Sequence, residues 1–409
     1  MGPSERPVVV GGGAAGLIAC LTLEKAGYSP LLLEADDQLG GRLRTETLSD
    51  GTRVDVGFQI LLTAYPELQK WVDIEALDPV RFVPGAKVHH QGRWKTLADP
   101  LRAPSLLLQT LTSNLGTFGD QMRILALLRD VRRGTALSIQ NQQSRGTTLS
   151  FLKTRGFSDN FISRFLAPFF SGIFLNRALD PPSAQFCYTF RMLATGDVVR
   201  PRMGMASLVN QLKRKLQRTE VRTCTPVQSI SENHLVLGDG SSLEARGAIV
   251  TIPGLTPDAQ PPLWNSCLNV VFACSQAPFG RPIIGLIPAS KAVTNFHFME
   301  DVQGEEGKGK VNATAVIARG SAPDATLQAM RDDLLGAGIR VNEILWQRQI
   351  SQALPQLAQV RSNVANPRNP QGGYIAGDHT AAPSLDAAMR SGRVAAEAWI
   401  EDHLKKETE

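Results

Sequence analysis

Residues Gly11-Gly12-Gly13-Ala14-Ala15-Gly16 set glycines in GxGxxG spacing, after an apolar run at 7–10 and at the head of an apolar stretch at 14–26 that stops at Gly27. Each glycine has its own task in a phosphate-binding turn. Gly11 permits the tight turn, Gly13 lets backbone approach a pyrophosphate, and Gly16 lets helix and strand pack closely. The helix opening at Ala14 and Ala15 offers an anion its free N–H groups and the positive end of its dipole. A second apolar run at 29–34 ends in Glu34, followed by Ala35, about twenty residues on, where an acid takes ribose hydroxyls. This βαβ unit predicts a dinucleotide site. An acid at 34 repels the extra phosphate of NADP and leaves NAD and FAD equally acceptable.

Gly40-Gly41-Arg42, with Arg44 and Thr45, follows directly. It resembles the GGRxxT/S motif of the flavin-containing amine oxidoreductase superfamily, which includes monoamine and polyamine oxidases, protoporphyrinogen oxidases and carotenoid desaturases. The resemblance selects FAD and sets Gly41 and Arg42 beside its pyrophosphate, a suitable place for a permanent cation. Asp55-Val56-Gly57-Phe58-Gln59 is similar to the family's DxG strand, making Gly57, Phe58, Gln59 and Ile60 flavin-facing. Pro201-Arg202-Met203-Gly204-Met205 is similar to a PxGGM turn, with Met203 in place of the first glycine. Val227 matches a position whose backbone meets adenine.

Gly373-Tyr374-Ile375-Ala376-Gly377-Asp378, then Pro383-Ser384-Leu385-Asp386-Ala387-Ala388, resembles the C-terminal flavin motif. The resemblance implies that Gly377 and Asp378 contact the ribityl or phosphate region. It also implies that a helix starting near Ser384, with Leu385, Asp386 and Ala387 in its first turn, aims its N-terminus at the flavin pyrimidine ring, where the dipole favours the anionic reduced form. Small residues four apart, Ala388, Gly392 and Ala396 among them, give this helix a smooth face for packing on the first βαβ unit. Trp346 followed by Ala353-Leu354-Pro355 also resembles a family pattern, with Trp346 structural.

Within the resemblance, a substrate C–H or N–H bond gives up a hydride to the flavin, and oxygen or a quinone re-oxidises it. Some amine oxidases hold a water with a lysine; Lys291, Lys308 and Lys310 lie in the matching half but read as solvated. Tyr374 is the lone aromatic candidate near the C-terminal motif, and no cysteine follows Cys274, which implies noncovalent FAD. The segment Phe-Ile-Ser-Arg-Phe-Leu-Ala-Pro-Phe-Phe-Ser-Gly-Ile-Phe at 161–174, with Phe186, Tyr188, Phe190 and Met192, reads either as lining for an apolar substrate or as core. The amphipathic stretch 120–133, with Arg123, Arg129, Arg132 and Arg133, reads either as a domain-packing helix or as a peripheral membrane contact.

These residues need an α/β scaffold. The expected fold is a Rossmann-type, GR2-like FAD-binding domain from 1–85, 200–255 and 343–409, with an inserted α+β substrate domain from 86–199 and 256–342. A helical layer is expected over 84–195, and strands near 248–252, 270–273, 283–287 and 343–347. At 409 residues the chain exceeds one ordinary core. Its 43% hydrophobic and 20% charged residues suit a globular protein, and the net charge of +5, spread without a basic block, argues against nucleic acid. Five cysteines without metal spacing suggest neither disulfides nor a zinc site. No leader or membrane span is read, and the expected setting is cytoplasmic with membrane association left open. Function is read as FAD-dependent dehydrogenation of a small apolar, isoprenoid- or tetrapyrrole-like substrate. An oxygen-using amine oxidase and a flavin-binding assembly factor without turnover are the alternatives.

Overall fold

The computed structural model describes residues 6–57, 59–99, 102–140, 146–231, 234–245, 247–256, 261–317, 323–361, 366–370 and 372–408. Two of the first strands, Val8–Val10 and Leu31–Leu33, are apolar at every position because both faces of their sheet are covered, as parallel sheets require. That sheet is parallel throughout and runs Glu220–Arg222, Leu31–Leu33, Val8–Val10, Ile249–Val250, Tyr374–Ile375. Its strands come from the start, middle and end of the chain. A three-stranded antiparallel sheet, Val227–Ile230, His234–Leu237 and Ser242–Glu244, adjoins it.

The helix Ala14–Lys25 is buried on nearly all sides, and the long helix Leu385–Thr408 lies against it. Their approach requires glycine: a Cβ on Gly392 would overlap the carbonyl oxygen of Ala15. Asp55 closes the region, its carboxylate accepting from Thr45 Oγ1 (2.6 Å), the Met205 amide (2.8 Å) and Arg200 Nε (2.6 Å). Met203 is exposed to solvent, while Gly204 supplies the left-handed turn at φ +84°.

The second sheet has seven strands: Val341–Pro355, Trp264–Cys274, Lys310–Ile317, Val293–Phe298, Ile284–Leu286, Gly85–His90 and Arg93–Ala98. Two of these correct the sequence reading. The stretch from 84 begins with a hairpin, in which Ala86 and Val88 are buried between half-buried Lys87 and His89, before the helices start. The strand read at 343–347 runs from 341 to 355 and pairs with Trp264–Cys274, so a division at 343 cuts a strand of the substrate sheet. Register shifts along that pairing break the simple alternation.

The helical layer covers this sheet. Asp159–Phe161 continues through a π-helical turn at Ile162–Leu166 into Ala167–Phe174. Pro168 lacks an amide hydrogen, which favours such a local rearrangement of the hydrogen-bond ladder. Phe161, Phe165 and Phe169 stack in sequence, with ring centroids 5.7 and 5.6 Å apart. Among the described residues no helix is long and apolar enough to cross a membrane.

The Gly392→Leu substitution forces the two packed helices apart. We expect a loss of about 1–3 kcal/mol or more in urea unfolding, accompanied by reduced flavin content in the purified protein.

Candidate functional site

The turn after the first strand is shaped for an anion. Gly11 sits at φ +98°, and a Cβ on Gly16 would overlap the Gly11 carbonyl oxygen. A Cβ on Gly13 would meet nothing within 4 Å, so the backbone there faces open space. Gly13 also caps the helix beginning at Ala14 without any side-chain hydrogen bond, leaving the dipole end uncapped by the protein. Glu34 is held in place from both sides, Oε2 accepting from the Gly12 amide (2.7 Å) and Oε1 from the Asp36 amide (2.9 Å). Ala35 is exposed beside it.

Gly40 and Gly41 adopt φ of +127° and +55°, which brings Gly41 against Gly13. They deliver Arg42 to Asp378 in a forked ion pair, with Nη2 to Oδ1 at 2.7 Å and Nη1 to Oδ2 at 2.9 Å. Arg42 Nη1 also donates to the Ala353 carbonyl (3.2 Å), and the guanidinium lies 5.6 Å from the Trp264 ring centre. Burial opposes its charge, but the Asp378 carboxylate more than offsets this and holds the group above its ordinary value. The Gly377 amide donates to Ser391 Oγ (2.7 Å). His379 Nδ1 is buried without a hydrogen-bond partner among the described residues, beside this pair. An open glycine cradle, an uncapped helix end and an unpartnered imidazole nitrogen fit a bound pyrophosphate cofactor.

The remaining expected residues divide. Gly57 packs on the Arg42 carbonyl, and Gln59 Nε2 donates to Thr314 Oγ1 at 3.3 Å. Arg42, Gly57, Gln59 and Ile60 all line one cavity. Phe58 lies outside the described residues. Val227 is half-buried, two residues from Thr225, whose amide donates to the Glu34 carbonyl (2.8 Å). The side chains at 385–387 turn inward from the start of their helix. Leu385 and Ala387 are buried in core clusters. Asp386 accepts from the Glu67 amide (2.8 Å), Tyr188 hydroxyl (2.8 Å) and Arg390 (3.1 Å), so its carboxylate ties helices together. Burial pushes that carboxyl above its usual range.

The cavity, about 440 Å³, runs on from the cofactor loop between the second sheet and the helical layer. Phe161, Phe165, Phe169, Phe170, Ile173 and Phe190 line it, whereas Phe174, Phe186, Tyr188 and Met192 are core. The apolar segment is thus both lining and core. Its polar side is a row on the sheet face. Asn269 and Thr314 are register partners, as are Thr314 and Asn295; Thr314, Asn295 and His297 line the cavity. Sequence reading missed Asn295 and His297. The available signal was two polar residues at i and i+2 in an otherwise largely apolar strand, with Phe296 and Phe298 turned to the opposite, core side.

The family model of flavin containing amine oxidoreductases matches residues 14–262, more than half of the chain. The protein belongs to this family. By its description this is a family of flavin-containing oxidoreductases. A 15-cis-phytoene desaturase of Arabidopsis thaliana is 44% identical over 64 residues, which make up 16% of this chain and 11% of that protein. The curated relatives are therefore matched over a small part of their length. Two solved structures share the fold over nearly the whole chain. A CLA-producing fatty acid isomerase from P. acnes matches with TM-score 0.72 and 16% identity over 96% of this chain and 98% of that one. An oxidoreductase from Methanosarcina mazei matches with TM-score 0.71 and 16% identity over 97% and 100%.

Within this family frame, the other expected contributors fall outside the cavity lining. Lys291 and Lys308 are exposed, and Lys310 pairs with Asp50 at 3.1 Å. Tyr374 donates to Asp402 (2.8 Å) under the cofactor sheet, and Trp346 donates to Glu46 (2.7 Å). All five cysteines are free thiols; Cys267 lines the cavity, its thiol pushed up to about 12 by burial.

Two measurements test the site. Arg42→Ala leaves Asp378 buried and unpaired; we expect a loss of about 3 kcal/mol in urea unfolding together with lost flavin, and partial recovery of stability when Asp378→Asn is added. His297 is held down to about 3 by burial, with the Arg200 cation adding to the effect. An unfolded imidazole takes up a proton below about 6.5 while the native one stays neutral, so stability is complete above that pH and falls as pH drops toward 3. The expected slope is about 1.4 kcal/mol per pH unit, and His297→Gln flattens it; equal slopes in the two proteins would remove this account of His297.

Proposed function

We propose that this oxidoreductase dehydrogenates an apolar, isoprenoid- or tetrapyrrole-like substrate, with noncovalently held FAD and with oxygen or a quinone as final acceptor. The observation that carries the reading is the cavity beside Arg42 and Gly57, walled along one side by the stacked phenylalanines 161, 165 and 169. Such a surface binds extended hydrocarbon or a flat macrocycle by burial and ring contact. FAD, when bound, would supply a two-electron acceptor. Gly11, Gly13, Gly16, Glu34, Gly41, Arg42, Gly377 and Asp378 would hold it.

The protein's own groups then orient the substrate and keep water out. The phenylalanine wall excludes solvent. Gln59, Thr314 and Asn295 offer a narrow polar row that fixes the position of a single oxygen- or nitrogen-bearing end. His297, kept neutral by burial, can accept or donate one hydrogen bond there without placing a charge in an apolar cavity.

The test is anaerobic titration of the yellow protein with isoprenoid, tetrapyrrole and amine panels, followed by the visible spectrum. Bleaching by an apolar compound, slowed at least tenfold in Phe165→Asp because a charge would enter the apolar wall, supports the reading. Bleaching by amines alone would replace it with an amine oxidase, and a flavin reduced by no donor would point to an assembly factor.

A further inference from the structure

Seven of the twelve large apolar side chains exposed among the described residues fall between positions 107 and 137. Phe118 is 77% exposed and Leu108 73%, and Met122, Leu125 and Leu111 are about half exposed. The helix Leu107–Leu111 presents Leu108 and Leu111, and the helix Phe118–Arg132 presents Phe118, Met122 and Leu125. Positions 118, 122, 125 and 129, then 132 and 133, recur at helical spacing on one face, so Phe118, Met122 and Leu125 run into Arg129, Arg132 and Arg133. The opposite face, with Leu127, Leu128 and Val131, is buried in the protein. Acidic groups offset the arginines only in part: Asp120 is the buried N3 member of its helix's capping box, and Asp130 pairs with Arg155 at 2.7 Å and lies 3.6 Å from Arg129, so the charge of the row rests mainly on Arg132 and Arg133.

The patch is also continuous with the cavity. Leu107, Leu111 and Leu125 are exposed at the surface and line the same cavity that Arg42 and Gly57 line beneath. An apolar face backed by guanidinium groups matches the acyl boundary and phosphate layer of a lipid bilayer, and fits a flat protein partner less well.

We infer that the helices Leu107–Leu111 and Phe118–Arg132 seat the protein on an anionic bilayer surface, with the cavity mouth opening into the acyl region. Phe118, Met122 and Leu108 enter the interface, and Arg129, Arg132 and Arg133 meet lipid phosphates. The usefulness of this arrangement rests on the apolar-substrate reading above, because such a substrate would enter from the bilayer without crossing water. The docking itself needs no substrate.

The experiment is flotation of the flavin-loaded protein with vesicles of phosphatidylcholine alone or mixed with phosphatidylglycerol, no substrate being present. The wild type floats with the mixed vesicles and is released by high salt. Phe118→Ser with Met122→Ser lowers the bound fraction at least about tenfold, and Arg129→Glu with Arg133→Glu lowers it at least about fivefold per residue on anionic vesicles only. Unchanged flavin spectrum and melting temperature show that these variants are folded. Failure of the wild type to bind, binding indifferent to both pairs of substitutions, or a concentration-dependent dimer that Phe118→Ser dissolves while vesicles stay unbound would each overturn the inference. Since substrate oxidation is measured separately in detergent, a wild type that ignores vesicles yet keeps its flavin bleaching refutes the docking surface and leaves the substrate class standing.

Discussion

The forked pair between Arg42 and Asp378 is the interaction on which the rest of this molecule depends. Asp378 is almost fully buried and its partner mostly so, a costly arrangement unless the geometry is good and further hydrogen bonds complete it. Here it is completed by the Ala353 carbonyl and the Trp264 ring. Residues 264 and 353 stand on neighbouring strands of the seven-stranded sheet. One guanidinium therefore joins the glycine cradle, the C-terminal segment and the substrate sheet, and it lines the cavity as well. A change in the charge of that group would be felt in cofactor affinity, in the seating of the second sheet and in the floor of the cavity together.

Much of the cofactor half is legible in the amino-acid sequence, because a close backbone approach leaves glycine as the sole residue that fits. Gly11, Gly16, Gly41 and Gly377 mark such approaches, and each sits where a side chain would strain or collide. The motif at 383–388 is harder to use. Its residue types announce the start of a helix, but which side chains face a ligand depends on the rotation of that helix, and Asp386 is committed to Glu67 and Tyr188. The substrate half resists for a different reason. Its long strands carry bulges and are buried on one side and partly wet on the other, so the two-residue period that identifies a strand fades after a few positions. Gly85–His90 is hidden because Lys87 and His89 make the run look like solvated surface.

The phenylalanine-rich segment shows how one stretch of chain can be both core and cavity lining. The π-helical turn at Ile162–Leu166 lies directly before Pro168, and wider turns of this kind recur at functional sites. Phe174 anchors the helix in the core, Phe161 and Phe170 belong to both core and lining, and Phe161, Phe165 and Phe169 form a continuous aromatic wall. Composition alone could not divide these roles, since every residue concerned is apolar and the separation arises from a local change in helical pitch.

The strand order of the parallel sheet bears on how the protein is made. Its central strand, Val8–Val10, is flanked by Leu31–Leu33 and Ile249–Val250, and the edge at Tyr374–Ile375 is laid down long after both. The helix that packs on Ala15 follows later still. During translation the glycine turn must therefore wait, uncovered, for partners made several hundred residues after it, while the hairpins of the second sheet can already pair. The nucleotide cradle is thus completed only when the segment from 373 onward is in place. A ribosome stalled short of Tyr374 would hold a polypeptide that lacks one wall of its nucleotide cradle, a deficiency by which quality-control machinery would recognise it.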